Sequence, residues 1–263
     1  MLGRVNVVTW NVNSIRQRLP RLIAMLERHD PDVVCLQETK LTDDAFPFDE
    51  LRDAGYHSTS YGQRAYNGVA VASKQPIETI ARGFPGDPVP DEARLLAVRT
   101  GDLMVASVYA VNGKSVGDAA YEVKLAWFDA LRSWVSTLDR SIQVLLAGDF
   151  NVAPDDRDVH DPERWRGKNL ASEPERDRIR ALEALGLIDL GREAAGDTTG
   201  PFTFWDYRAG AFHRGWGLRI DLVLGSAPLA SRLGSVEVDR EERKPTAGEG
   251  KPSDHAPVIL RLR

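Results

Sequence analysis

Three apolar runs in this chain each stop abruptly on a polar cluster. Residues 5–10 end at Asn11, residues 33–36 at Gln37-Glu38, and residues 142–147 at Gly148-Asp149-Phe150-Asn151. Short apolar, β-branched runs without helical spacing read as strands buried on both faces. Such strands need a helix layer or a second sheet over each face, and α/β sheets carry ligands at the carboxyl ends of their strands. Polar side chains from distant parts of the chain are therefore expected to meet at one rim.

The remaining pattern mixes the same two elements. Residues 68–73, 104–109, 220–224 and 256–262 read as further strands. Residues 120–138 carry Val123, Leu125, Trp127, Phe128, Leu131, Trp134, Val135 and Leu138 at helical spacing. Pro20 suits the first turn of a helix reaching about residue 28, because proline needs no donor there. Ser172 opens a helix over 172–185 that Gly186 stops.

Composition narrows the class. With 42% hydrophobic and 28% charged residues in 263, the chain can bury a sizeable core and is not a disordered one. There is no low-complexity tract, repeat or long linker, so one domain over 1–263 is expected. The Pro/Gly-dense stretches 83–90 and 244–252 read as surface loops. No run approaches ~18 apolar residues, so no helix is expected to span a membrane. The first ten residues lack the apolar run of a secretory signal. The single Cys35 cannot form an intrachain disulfide and sits in an apolar run. A cytoplasmic location is expected on both grounds. Net charge is −5, from 34 Lys and Arg against 39 Asp and Glu, which argues against a global positive field for nucleic acid and leaves room for a local basic face.

The polar clusters can be read as chemistry or as local structure. Gly148 permits an unusual backbone turn after its strand, and Asp149 and Asn151, offset by two, could bind a hard cation or orient a water, or could cap their own turn. Glu38 at a strand end is paired, metal-bound or solvated. Asn11 is a turn residue or a ligand. In Ser253-Asp254-His255 the acid and the imidazole face opposite ways on an extended chain and should have different partners. Asp221 lies inside an apolar run and calls for a cation, with His255 and Arg219 as candidates. Phe202, Phe204, Trp205, Tyr207, Phe212 and Trp216, interleaved with Arg208, His213, Arg214 and Arg219, suit a nucleic-acid platform or a packed loop.

Taken in order, Trp10-Asn11-Val12-Asn13, Leu36-Gln37-Glu38-Thr39-Lys40, Tyr109, Gly148-Asp149-Phe150-Asn151-Val152-Ala153-Pro154, Phe202-Thr203-Phe204-Trp205, Leu218-Arg219-Ile220-Asp221 and Ser253-Asp254-His255 resemble the exodeoxyribonuclease III / AP endonuclease branch of the exonuclease-endonuclease-phosphatase family. The resemblance spans essentially the whole chain. Gln-Glu-Thr-Lys, Asp155-Asp156-Arg157-Asp158-Val159 and Gly217-Leu218-Arg219-Ile220-Asp221 narrow it to the DNA-repair branch. It implies a four-layer α/β/β/α sandwich, two mixed sheets flanked by helices. It also implies a metal-dependent DNA phosphodiesterase that cuts 5′ of abasic sites and trims 3′ ends of double-stranded DNA.

By the same resemblance, Glu38 is the main metal ligand with Asn11 beside it, and Mg²⁺ or Mn²⁺ is the ion expected for hard oxygen donors. Asp149 activates or orients the attacking water, and Asn151 holds Asp149 and contacts the phosphate. His255 donates to the scissile phosphate, oriented by Asp221. Asp254 is a further metal-associated acid, and Asp149, Asn151 and His255 also stand in the implied metal set. Tyr109 lies near the leaving group. Lys40, Asn112, Phe204, Trp216 and Leu218 are expected at DNA, with Phe204 and Leu218 as pocket walls and Trp216 as a wedge. A monomer is expected. A lipid or inositol phosphatase and a catalytically silent binder are the rivals. The DNA-branch motifs count against the first, and retention of the whole polar set counts against the second.

Overall fold

The computed structural model describes residues 4–139 and 141–263, so the first three residues of the N-terminal stretch lie outside the described residues. The strands are β1 (Val5–Asn11), β2 (Val33–Gln37), β3 (His57–Tyr61), β4 (Val69–Ser73), β5 (Glu78–Arg82) and β6 (Leu95–Thr100). They continue as β7 (Leu103–Tyr109), β8 (Gln143–Asp149), β9 (Leu187–Asp189), β10 (Asp221–Ser226), β11 (Leu233–Val238) and β12 (Val258–Leu262). Two six-stranded sheets result, in the orders β11-β12-β1-β2-β4-β3 and β5-β6-β7-β8-β10-β9. Each is antiparallel except for one parallel pair at its heart, β1 with β2 and β7 with β8.

The sheets pack face to face through Val7, Cys35, Val71, Val98, Val105, Leu145, Val223 and Leu260. Helices α1 (Ile15–His29) and α2 (Phe48–Asp53) cover the first sheet, with Ile15, Leu22, Met25 and Leu26 against Val8, Trp10 and Leu36. On the second sheet lie α3 (Ala119–Ser136) and, beyond a short α4 (Pro162–Trp165), α5 (Glu173–Glu183). Trp127, Phe128, Leu131, Ile179 and Leu182 meet Val108, Leu146 and Leu224 there. This is the four-layer sandwich, and each such buried side chain contributes about 1.5–3 kcal/mol. Cys35 is fully buried and its thiol is pushed up to about 12, as suits a packing residue. No helix among the described residues is long and apolar enough to cross a membrane.

Three expectations are corrected. Pro20 lies inside α1, not in its first turn. The helix starts five residues earlier because the Ser14 and Ile15 amides donate to Glu38 and Thr39 carbonyls at 2.7 and 3.1 Å. Pro20 is exposed, so water can reach the carbonyl it leaves without a donor. Helix α3 ends at Ser136 rather than at 138. Strand β8 runs on through Gly148 to Asp149, and Gly148 makes no turn. A Cβ there would lie 1.9 Å from the Val108 carbonyl oxygen, so glycine is required by the approach of the neighbouring strand.

A buried polar seam joins the sheets just below the rim. Gln37 Nε2 donates to Thr9 Oγ1 and to Ser107 Oγ, both at 3.0 Å, and Ser107 Oγ donates to the Leu36 carbonyl at 2.9 Å. It fixes the carboxyl ends of β1 and β2 against that of β7.

Candidate active site

Register alone brings the strand ends together. Asn11 pairs with Gln37, Tyr109 with Asp149, and Asp149 in turn with Asp221. Glu38 and Asn151 follow at once, both in left-handed backbone at φ 51° and 50°. Such a conformation is costly for glutamate and is kept where surrounding structure imposes it, as at functional sites.

Asn11, fully buried, bridges the two sheets. Its Nδ2 donates to Glu38 Oε1 and to Asp149 Oδ2, each at 2.9 Å, while its Oδ1 accepts from the Asn13 amide at 3.0 Å. It thus turns its nitrogen, not its oxygen, to both carboxylates, and acts as their tie where a ligand oxygen was expected. Glu38 Oε2 lies 2.8 Å from Lys40 Nζ, and the Glu38 side chain is 17% exposed. Burial pushes its carboxyl up, but Lys40 and Asn11 outweigh that and hold it below the ordinary value. Lys40 Nζ also donates to Asn13 Oδ1 at 2.5 Å, and Asn13 Nδ2 donates to Asp254 Oδ1 at 2.9 Å. Asp254 is therefore linked to Glu38 through Asn13 and Lys40.

On the second sheet Asp149 is 1% exposed. Its Oδ1 accepts from the Asn151 amide at 2.8 Å, so the local turn and the convergent site are both present. Asn151 holds Asp149 by that backbone group, while its side chain donates to the Ala110 carbonyl and accepts from Asn112 Nδ2, both at 2.9 Å. His255 Nδ1 meets Asp221 Oδ2 at 2.9 Å and Oδ1 at 3.1 Å, and Nε2 faces Asp149 Oδ2 at 3.7 Å. Asp221 takes His255 as its cation. Arg219 turns away to Asp158 and Asp189, at 2.6 and 2.8 Å. Burial disfavours the imidazolium, yet Asp221 and then Asp149 outweigh it and raise His255 to about 10. Burial likewise pushes the Asp149 carboxyl up, against the pull of His255.

Tyr109 stands beside this cluster with the Arg94 guanidinium 4.9 Å from its ring centroid. Its hydroxyl lies far above its ordinary pKa through burial and the nearby Glu38 and Asp149, so it stays a donor. Phe204 lies 4.8 Å from the His255 ring, between centroids. Leu218, 2% exposed and bridged to Phe204, backs that ring and offers no surface of its own, against the expected pocket wall. Trp216 stacks on His160 at 6.0 Å and has Arg214 and Arg164 within 4.6 and 5.4 Å of its ring. Trp205 packs with Ala211 and Ala256, with Phe202 and Phe212 against them, as loop anchors.

Some contributors carried no sequence signal. Lys124, fully buried in α3, donates to the Asn151 carbonyl at 2.7 Å, the Asn112 carbonyl at 3.1 Å and Glu175. It fixes both asparagines from behind. An isolated lysine in an amphipathic helix gives no hint of that. Asn13 lies in the Trp10-Asn11-Val12-Asn13 run, and only its contacts with Lys40 and Asp254 reveal its role.

Ligand atoms of Asp149, Asp221 and His255 lie within 4.8 Å of one another, with Glu38 joined through Asn11. The oxygens gathered here are hard carboxylate donors, and an ammonium already rests on Glu38 Oε2. The residues fit a hard divalent cation. An acid held ionised, a buried carboxylate and a protonated imidazole brought together at one rim can orient a water against an anionic ester.

Comparison with known proteins agrees with this geometry. A model described as the Endonuclease/Exonuclease/phosphatase family matches residues 8–255. Exodeoxyribonuclease III of Haemophilus influenzae is 34% identical over 263 residues, covering 95% of this chain and 97% of that protein. An exodeoxyribonuclease of Bacillus subtilis is 30% identical over 260 residues, covering 97% and 98%. Among solved structures, the 3′ phosphatase NExo from Neisseria bound to product DNA hairpin superposes with TM-score 0.93 at 37% identity, over 98% of this chain and 99% of that one. An AP endonuclease from Archaeoglobus fulgidus gives 0.91 at 34% identity, over 97% and 98%.

Proposed function

This chain belongs to the Endonuclease/Exonuclease/phosphatase family, and from that premise we propose that it is a DNA-repair nuclease, a divalent-metal-dependent phosphodiesterase of double-stranded DNA. It cuts 5′ to abasic sites and removes nucleotides or blocking groups from 3′ ends, as one domain over residues 1–263 working as a monomer in the cytoplasm. One observation carries the reading: Asn11 ties Glu38 of one sheet to Asp149 of the other, beside the Asp221–His255 pair. A binding module has no use for a partly exposed acid, a dry acid and an imidazolium gathered at one point.

The geometry supports the following roles. A phosphodiester resists attack because its oxygens are anionic. Mg²⁺ or Mn²⁺, held chiefly by Glu38 with Asp149 and Asp254 as further acids, would neutralise charge growing on the phosphate. Asp149 accepts the proton of the attacking water and orients it, with one oxygen fixed by the Asn151 amide. His255, kept protonated by Asp221, offers Nε2–H to a non-bridging phosphate oxygen. Asn112 offers a second polar contact, braced by Asn151 and Lys124. Tyr109 donates toward the leaving 3′ oxygen. Lys40 exchanges its contact with Glu38 for a DNA phosphate, Phe204 backed by Leu218 walls the abasic pocket, and Trp216 stacks beside it.

The test compares initial rates on three duplexes, with an internal abasic analogue, a recessed 3′ end and a 3′-phosphate. Hydrolysis of at least one in Mg²⁺ is expected. No product from any of them would reject the nuclease.

A further inference from the structure

We propose that Arg21 is a positioning residue for the reaction: its buried guanidinium winds residues 242–250 around itself and thereby sets where Asp254 and His255 stand. The inference rests on the nuclease reading above.

Strands β11 and β12 are antiparallel neighbours, and Val238 pairs directly with Val258. About 2–5 residues would join them, yet the chain makes an excursion from residue 239 to residue 257. That stretch is closed at its base by the Asp239 amide on the Pro257 carbonyl and contains the Pro/Gly-dense loop, and its other backbone pairs through residue 250 are short-range ones, such as Glu242 to Asp239 and Lys244 to Glu241. Many of its carbonyls are thus left for an outside donor.

Arg21, fully buried in α1, is that donor. Nε donates to the Gly250 carbonyl at 3.0 Å. Nη1 donates to the Glu242 carbonyl and to Glu242 Oε2, both at 3.2 Å. Nη2 donates to the carbonyls of Lys244 at 3.2 Å, Pro245 at 3.1 Å and Gly248 at 3.0 Å. A planar fork with five N–H donors, one of those on Nη2 shared between two carbonyls, serves such a ring of acceptors, and an ammonium with three does not. The loop closes tightly on the stem, since a Cβ on Gly248 would lie 3.3 Å from Arg21 Cγ.

From this hub the path to the site is short. One turn earlier in α1, Arg18 Nη2 donates to the Pro252 carbonyl at 3.1 Å. Arg243, inside the wound segment, donates to the Ser253 carbonyl and, at 3.0 Å, to that of Trp205. Ser253 Oγ donates to the Asn11 carbonyl at 2.7 Å. Asp254 and His255 come next. Downstream they are fixed by the Trp205 amide on the Asp254 carbonyl and by the Ala256 amide on Thr203. On the upstream side the arginines share the backbone with the Tyr207 hydroxyl, which donates to the Pro252 carbonyl at 2.8 Å, and with Ser253 on Asn11, but only Arg21 gathers residues 242–250. A misplacement of 1 Å at a reacting group costs on the order of 10²-fold.

The primary variant is Arg21→Lys, which keeps a charge opposite Glu242 and loses the fork. On the abasic duplex kcat should fall ~10–100-fold with KM for DNA within about three-fold of the parent. Deuterium exchange should quicken at amides 250–256 and stay unchanged in β8. In Arg21→Ala, millimolar methylguanidinium should restore both rate and protection. A kcat for Arg21→Lys within about two-fold of the parent would overturn the proposal. So would a loss that tracks only the folded fraction, without local change in exchange. A parent silent on all three duplexes marks failure of the nuclease reading instead, and the exchange measurement still reports whether Arg21 holds residues 250–256.

Discussion

In the first sheet the parallel pair β1/β2 ends on Asn11 and Gln37, with Glu38 next. In the second the parallel pair β7/β8 ends on Tyr109 and Asp149. The topology is the same and the treatment of the acids is opposite. Glu38 keeps contact with solvent and has a lysine on one oxygen and an amide on the other, so its charged form is favoured. Asp149 and Asp221 are dry, and their charge is spent on keeping a proton on His255. Environment, not residue type, divides the labour: on the proposed reading a partly exposed acid beside a lysine accepts an exchangeable ion, and a closed acid–imidazole group places protons.

The largest expected effect breaks the second region. Asp149→Asn should lower cleavage ~10²–10⁴-fold, the range of a general base. Cleavage within a few-fold of the parent would remove Asp149 as base.

Asn11→Ala cuts the tie between the regions. Loss of a group that orients ligands typically costs ~10–100-fold in metal affinity or activity. If the sheets act as one centre, the Mg²⁺ concentration for half-maximal rate should rise and the saturated rate should fall together. A change in only one of them would mean two independent regions.

Asp221→Asn tests the proton. In metal-free parent protein the His255 imidazole should hold its proton through neutral pH and lose it only toward pH 10. A raised folded-state pKa gives stability in full below the unfolded value of ~6.5, lost as pH rises through the folded one. The Tm difference between parent and Asp221→Asn should therefore shrink from pH 6 to pH 10. The His255 pKa, read by NMR, should drop toward ~6.5 in the variant. An unshifted imidazole contradicts the pairing.

Lys40→Met gives the smallest effect, on the first region. Partly exposed ion pairs are worth ~0.2–1 kcal/mol, so removing the competing ammonium should tighten Mg²⁺ binding a few-fold by calorimetry. Weaker binding would make Lys40 a helper of the ion, not its stand-in.

Much of this was legible in sequence, for physical reasons. Residues 5–10, 33–36 and, from residue 143, the run 142–147 lie in strands because short β-branched runs of this kind suit burial on two faces, and the polar groups that stop them meet at the rim. The opposed facing of Asp254 and His255 also holds, with Asn13 and Asp221 as separate partners. What was not legible depends on contacts far apart in the chain. Gly148 answers to Val108 and not to a turn. Lys124, Arg94 and Arg21 sit in helix or loop sequence that looks solvated, and only tertiary carbonyls and carboxylates reveal them as buried donors. Pro20 misled because tertiary amide partners, not a local cap, start α1.

The most direct test is a single labelled duplex carrying one abasic analogue, incubated with the parent protein in Mg²⁺, then in excess chelator, then with Mg²⁺ restored. One nick immediately 5′ of the lesion, abolished by chelator and recovered with the ion, is the predicted result. Strand cutting that persists undiminished in chelator would contradict the claim that these carboxylates work on DNA through a shared cation.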